Sequence, residues 1–156
     1  WADARMAERL AAAPLAAMKI RANATLGVRA RLEALAPFKE AVKRAALVLA
    51  EPRNVRAGAM IGWATADRIW RALDDQSTDE NYYSKRALLA GVHAATLARW
   101  LTDTTPYQDA TWAFLDARID NVMQIEKLKA RAKPLSALGP LAAELAARFR
   151  YGRTPS

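Results

Sequence analysis

The residues best equipped for chemistry stand together in the segment Asp74–Ala87, DDQSTDENYYSKRA, which holds four acids, an adjacent pair of tyrosines and an adjacent pair of cations. Carboxylates and small hydroxyls at this density can stop one helix and cap the next, which leaves the tyrosines and the Lys85-Arg86 pair as the candidates for contact with a partner. Catalysis needs positioned acids, bases or nucleophiles, and the candidates fail on spacing. His93 is the only histidine and position 90 is Ala, so the Glu-x-x-His pairs of a di-iron bundle are missing. There is no cysteine, no Gly-x-Ser-x-Gly elbow, no zinc spacing and no glycine-rich phosphate loop. His93 lies four residues from both Leu89 and Leu97 on an apolar helix face, where a hydrogen-bonded packing histidine is expected. The chain reads as one that binds, with no catalytic, metal or cofactor residues to assign.

The elements that must position these residues are helices. Proline and glycine punctuate an apolar period close to 3.6, and no strand-like alternation survives, so the expected fold is all-α. Helices are expected over 1–12, 15–35, 37–50, 54–75, 79–103, 106–131 and 136–150. Thr105 before Pro106, with Gln108 three residues on, predicts a capping box in which the hydroxyl accepts a backbone N–H. Ser77 and Glu80 share that spacing, and Asn54 after Glu51-Pro52 is expected to cap the helix that follows.

Alanine-rich helices approach closely but fill little volume, so the scattered large residues must fill it. Met60, Trp63, Ile69 and Trp70 lie on one helix, Leu88, Leu89, Val92, Trp100 and Leu101 on the next, and Trp112 and Leu115 on the third. Their arcs are too broad for narrow stripes, which puts these three helices at the centre of a bundle. Two readings stay open: a filled core, or a cavity that these side chains line for a long apolar ligand.

The net charge of +8 is unevenly placed: residues 1–56 carry +6, residues 57–120 carry −3 and residues 121–156 carry +5. Nucleic acid and anionic lipid attract the same cations, and charge alone does not choose between them. No apolar run approaches the roughly 20 residues of a membrane span. From Pro134 onward, PLSALGPLAAELAARFRYGR places Leu138, Leu141, Leu145 and Phe149 on one helical face, with Arg148 at its flank and Arg150 away from it. Such a helix docks on its own bundle, on a partner or in a membrane interface. The expected division is a bundle over 1–133 and this tail over 134–156. The first residues, WADARMAERL, already look helical, and a start partway into a longer protein is expected.

With the helices placed, GWATADRIWRALDDQSTDENYYSKRALLAGV resembles the central block of a ubiquinone-biosynthesis accessory family, coenzyme Q biosynthesis protein nine. The pattern is carried by Trp70, Asp75, Ser77, Asp79, Tyr82-Tyr83 and Lys85-Arg86. The later DTTPYQDATWAFLDARIDNVM is similar too, through Thr105-Pro106, Thr111-Trp112, Phe114-Leu115, Arg118-Ile119 and Met123. The likeness spans about residues 19–125 and is that of a bacterial-type member lacking the N-terminal helix-turn-helix-like part.

The resemblance implies a fold like the ligand-binding part of TetR-type regulators and a bound phospholipid or isoprenoid quinone in an apolar cavity. It further implies association with the demethoxyubiquinone hydroxylase, a homodimer, no nucleic-acid partner and no catalysis. The partner surface it implies maps onto Asp79, Asn81, Tyr82, Tyr83, Lys85 and Arg86, and the membrane contact onto the C-terminal helix. The place it implies is the cytoplasmic side of a bacterial inner membrane, or the matrix side in a mitochondrion. Three residues depart from the family pattern: Asp74 stands where Gly is usual, Glu80 where an apolar or aromatic residue is common, and Tyr82 where some members have Trp. Asp74 removes a residue suited to positive φ, so a slightly different turn is expected. The alternative is the effector part of a TetR-type transcriptional regulator whose DNA-binding part lies upstream.

Overall fold

The computed structural model describes residues 1–75 and 80–137, and every regular element among them is helical. The order is α1 (Ala2–Ala11), α2 (Ile20–Leu35), α3 (Lys39–Leu49), α4 (Val55–Ala72), α5 (Glu80–Thr102) and α6 (Asp109–Ala137). Short 3-10 turns precede α2, α3, α4 and α6. The chain divides into compact units Trp1–Asp120 and Asn121–Ser156. α6 also continues past its expected end at 131, to Ala137.

Within the first unit the most extensive pairings are α1 with α2 and α4 with α5. The core is therefore wider than the three helices picked from the sequence. Met6 and Leu10 of α1 and Val28 and Leu32 of α2 are buried alongside Ile69, Leu89, Trp100 and Leu115. Small residues make this possible. A Cβ on Gly27 would stand 2.6 Å from Ile69 Cγ2, so only glycine lets α2 approach α4 this closely.

The helix ends differ from expectation in how they are satisfied. Asn54 makes no side-chain cap on α4; its amide turns back and donates to Val48 O at 2.8 Å, serving the last turn of α3. The Thr105–Gln108 capping box forms only in part: Thr105 Oγ1 accepts from Ala110 N at 3.2 Å, but the Gln108 side chain does not reach back. Asp103 takes over, accepting from Thr105 N (2.8 Å) and Thr105 Oγ1 (2.7 Å) on one oxygen, and from Thr111 N (2.7 Å) and Thr111 Oγ1 (2.5 Å) on the other. The Thr105 side-chain hydrogen bond leads these contacts, and together they hold the Asp103 carboxyl well below the ordinary range. Gln108 is released to accept from Trp100 Nε1 at 2.6 Å, and Tyr107 O accepts from Trp112 Nε1 at 2.9 Å. The Ser77–Glu80 cap lies outside the described residues and side chains.

The end of α4 corrects the expectation for Asp74, which adopts φ 57 although it is not glycine. Its N–H donates to Arg71 O at 3.1 Å, and the N–H of Asp75 donates to Trp70 O at 3.0 Å. These are the two bonds of a Schellman motif, and Asp is among the few side chains that tolerate its left-handed residue. α4 thus ends as a glycine would have ended it. His93 is buried as expected, but its Nε2 has no hydrogen-bond partner among the described residues.

Candidate functional site

The Schellman turn brings the start of α5 back along the C-terminal half of α4, and charged side chains fasten the two together. Arg86, expected on the surface, is only 2% exposed. Its Nε donates to Asp67 Oδ1 at 2.7 Å, and its Nη1 donates to Asp75 Oδ2 at 3.4 Å and to Tyr82 O at 3.3 Å. The guanidinium also lies 3.4 Å from the centre of the Tyr82 ring. Both carboxylates have a second cation: Arg71 Nε reaches Asp67 Oδ2 at 2.8 Å and Lys85 Nζ reaches Asp75 Oδ1 at 2.7 Å.

Burying a guanidinium is costly unless its donors are met by well-placed acceptors, and this chain of alternating charges meets them. Partial burial pushes the Asp67 carboxyl up. The hydrogen bond from Arg86, the charge of Arg71 and the hydrogen bond from Tyr82 outweigh it, and the group titrates below the usual carboxylate range. Asp67 therefore stays ionised. Asp67 was not among the expected site residues; the available signal was the only acid on α4, three residues before Trp70.

Tyr82 belongs to the same clamp, since its hydroxyl donates to Asp67 Oδ1 at 3.2 Å while its ring covers Arg86. Lys85 is half-buried, with Nζ 5.4 Å from the Trp70 ring centre and its carbonyl accepting from Trp70 Nε1 at 3.1 Å. Tyr83 is different: 65% exposed, it stacks on Trp63 at 6.1 Å and meets the edge of Tyr82 at 5.1 Å. Of the six residues expected at the partner surface, the structure thus sends Arg86 inward, makes Tyr82 and Lys85 supports, and leaves Tyr83 facing out. Asp79 and the side chain of Asn81 lie outside the described residues.

The eleven candidate lipid-lining residues differ widely in burial. Ile69, Trp100 and Leu115 are wholly enclosed by protein, and Trp70, Leu89 and Val92 are buried. Trp63, Leu88, Leu101 and Trp112 are half-buried, whereas Met60 points to solvent at 64% exposure. Trp70 and Leu73 border a cleft of about 350 Å³ with Met18, Ile20, Asn23, Asp74 and Asp75. A larger cleft of about 610 Å³ runs between α1 and α2, lined largely by charge from Arg5, Glu8, Arg9 and Glu33. No described helix is long and apolar enough to cross a membrane. The candidate membrane-contact residues Leu138, Leu141, Leu145, Arg148, Phe149 and Arg150 lie outside the described residues.

The α4–α5 pair of this all-α chain is locked by buried charge and turns an aromatic face outward. Residues 55–126, which contain that pair, match the family model COQ9. Over 98 residues, 63% of this chain, it is 37% identical to the rat protein named "Ubiquinone biosynthesis protein COQ9, mitochondrial" and 34% identical to the human protein of that name. It is 29% identical over 115 residues, 74% of the chain, to the Dictyostelium discoideum protein named "Probable ubiquinone biosynthesis protein coq9, mitochondrial". Residues 55–126 thus form a COQ9-family segment. The match covers 31% of the length of the rat and human relatives and 38% of the Dictyostelium one, so it spans about a third of those proteins.

Proposed function

We propose that this chain serves ubiquinone biosynthesis as a non-catalytic accessory protein: it binds an isoprenoid quinone intermediate or phospholipid and presents it to the demethoxyubiquinone hydroxylase. The observation that carries the reading is the exposed Tyr83–Trp63 stack, held on a rigid α4–α5 clamp inside the family-matched segment. A flat aromatic with a polar tip, fixed on an immobile base, loses little entropy on docking and suits an interface anchor. Arg86 and Tyr82 act behind it by fixing the base. The ligand enters from the apolar side of the bundle, and Trp70 at the mouth of the α2–α4 cleft is the first candidate side chain it meets.

The place that follows is the surface of the membrane holding the quinone pool. Native mass spectrometry of protein purified without detergent should show a co-purifying lipid or quinone mass; a clean unliganded mass under gentle conditions would count against the ligand. Immobilised chain should retain the hydroxylase from solution, and Tyr83→Ala should release it while helicity is kept.

A further inference from the structure

α3 packs without burying any of its residues, although seven of its eleven are alanine, valine or leucine. Its inner face, Val42, Ala46 and Leu49, is half-covered, and Gly58 of α4 sits against the end of it, with an added Cβ 3.5 Å from Leu49 O. The outer face is left bare. Lys43 and Arg44 stand one turn before Leu47 and Val48, so all four share that face at helical spacing. Leu47 is 66% exposed and Val48 52%; across the turn, Val55 and Ile61 of α4 are 59% and 52% exposed. Lys43, Arg44 and Arg56 are exposed and make no ion pair among the described residues, whereas Arg53 is matched by Glu51 at 2.7 Å.

Large apolar side chains beside unpaired cations on one helical face match a lipid leaflet, where the apolar groups enter the acyl boundary and the cations meet headgroup phosphates. We infer that the α3 face with the first two turns of α4 is a contact surface for an anionic membrane. A second copy of the chain suits it poorly, because a two-fold contact would set Lys43, Arg44 and Arg56 against their own counterparts. The surface does not include the Tyr83 stack, and it does not rest on ligand binding inside the bundle.

Vesicle co-sedimentation of the full chain tests it, with phosphatidylcholine vesicles made with and without phosphatidylglycerol. The wild type should sediment with the anionic vesicles and be released by salt. Leu47→Gln with Val48→Gln, and separately Lys43→Gln with Arg44→Gln, should each lower the bound fraction, the second pair by roughly five-fold per cation removed. All four positions are exposed, so circular dichroism should be unchanged, and hydroxylase retention without vesicles should be untouched. The inference is overturned if the wild type ignores anionic vesicles, or if both pairs bind as the wild type does. It is also overturned if Leu141→Gln with Leu145→Gln removes all binding while the α3 variants keep theirs. A fall in oligomer mass for the α3 variants with unchanged sedimentation would give the face to a second copy instead.

Discussion

The guanidinium of Arg86 lies between Asp67 and Asp75 with almost no solvent access, so removing it leaves carboxylates partly buried without their shared counter-ion. Arg86→Ala should destabilise the chain by about 3–5 kcal/mol in urea unfolding. Tyr83→Ala gives up only an exposed stack and should cost about 1 kcal/mol or less. A hydroxylase-binding defect in an Arg86 variant therefore reports lost structure, while one in a Tyr83 variant reports a lost contact. His93 adds a pH dependence. Burial, then the nearby charge of Arg31, lowers its pKa from 6.5 to about 4. A histidine held neutral in the fold stabilises fully above its unfolded value, and that stability drains away as pH falls from 6.5 toward 4. The unfolding free energy from urea titrations should fall across that window by an amount on the order of 3 kcal/mol, and His93→Gln should flatten the decline. At this scale the tyrosine and cation pairs were legible from sequence, but their division of labour was not. It depends on Asp67, whose bond to Arg86 spans 19 residues, and nothing local in the sequence fixes which two helix faces meet.

At the scale of elements, the helices follow from apolar period and punctuation, and the seams between them follow from single residues. Gly27→Ala would drive a Cβ into Ile69, and the α2–α4 seam should open at a cost of about 1–3 kcal/mol, read as a lower unfolding midpoint. The start of α6 is held mainly by Asp103, with Thr105, the residue the local motif nominated, adding one bond to Ala110 N. Asp103→Ala should speed hydrogen exchange at the amides of Thr105 and Thr111 while leaving those of α2 protected. Because its carboxyl is held below the ordinary range, this anchor is intact above the normal carboxylate pKa and weakens only as pH drops through the lowered value. Elements were legible where the signal was periodic. Their ends were not, because Asp103 reaches eight residues forward to Thr111 and Asn54 six residues back to Val48, while capping rules look three residues ahead. Asp74 shows the converse: the residue departs from glycine, yet the turn keeps its left-handed geometry.

At the scale of the molecule, the all-α architecture and the COQ9-family segment were both legible, the first from composition and period, the second from the run between Trp70 and Arg86 matched within residues 55–126. Within the broad apolar arcs, Ile69, Trp100 and Leu115 have no exposed surface, since alanine and glycine on neighbouring helices let protein close around them. The account rests most on the Tyr83 stack as the anchor for the hydroxylase, and a direct titration of purified demethoxyubiquinone hydroxylase with the wild type and with Tyr83→Ala addresses it. The account predicts at least about a thirty-fold loss of affinity, the size of an interface hot spot, with unfolding midpoints nearly equal. Equal affinities for the two proteins would contradict it.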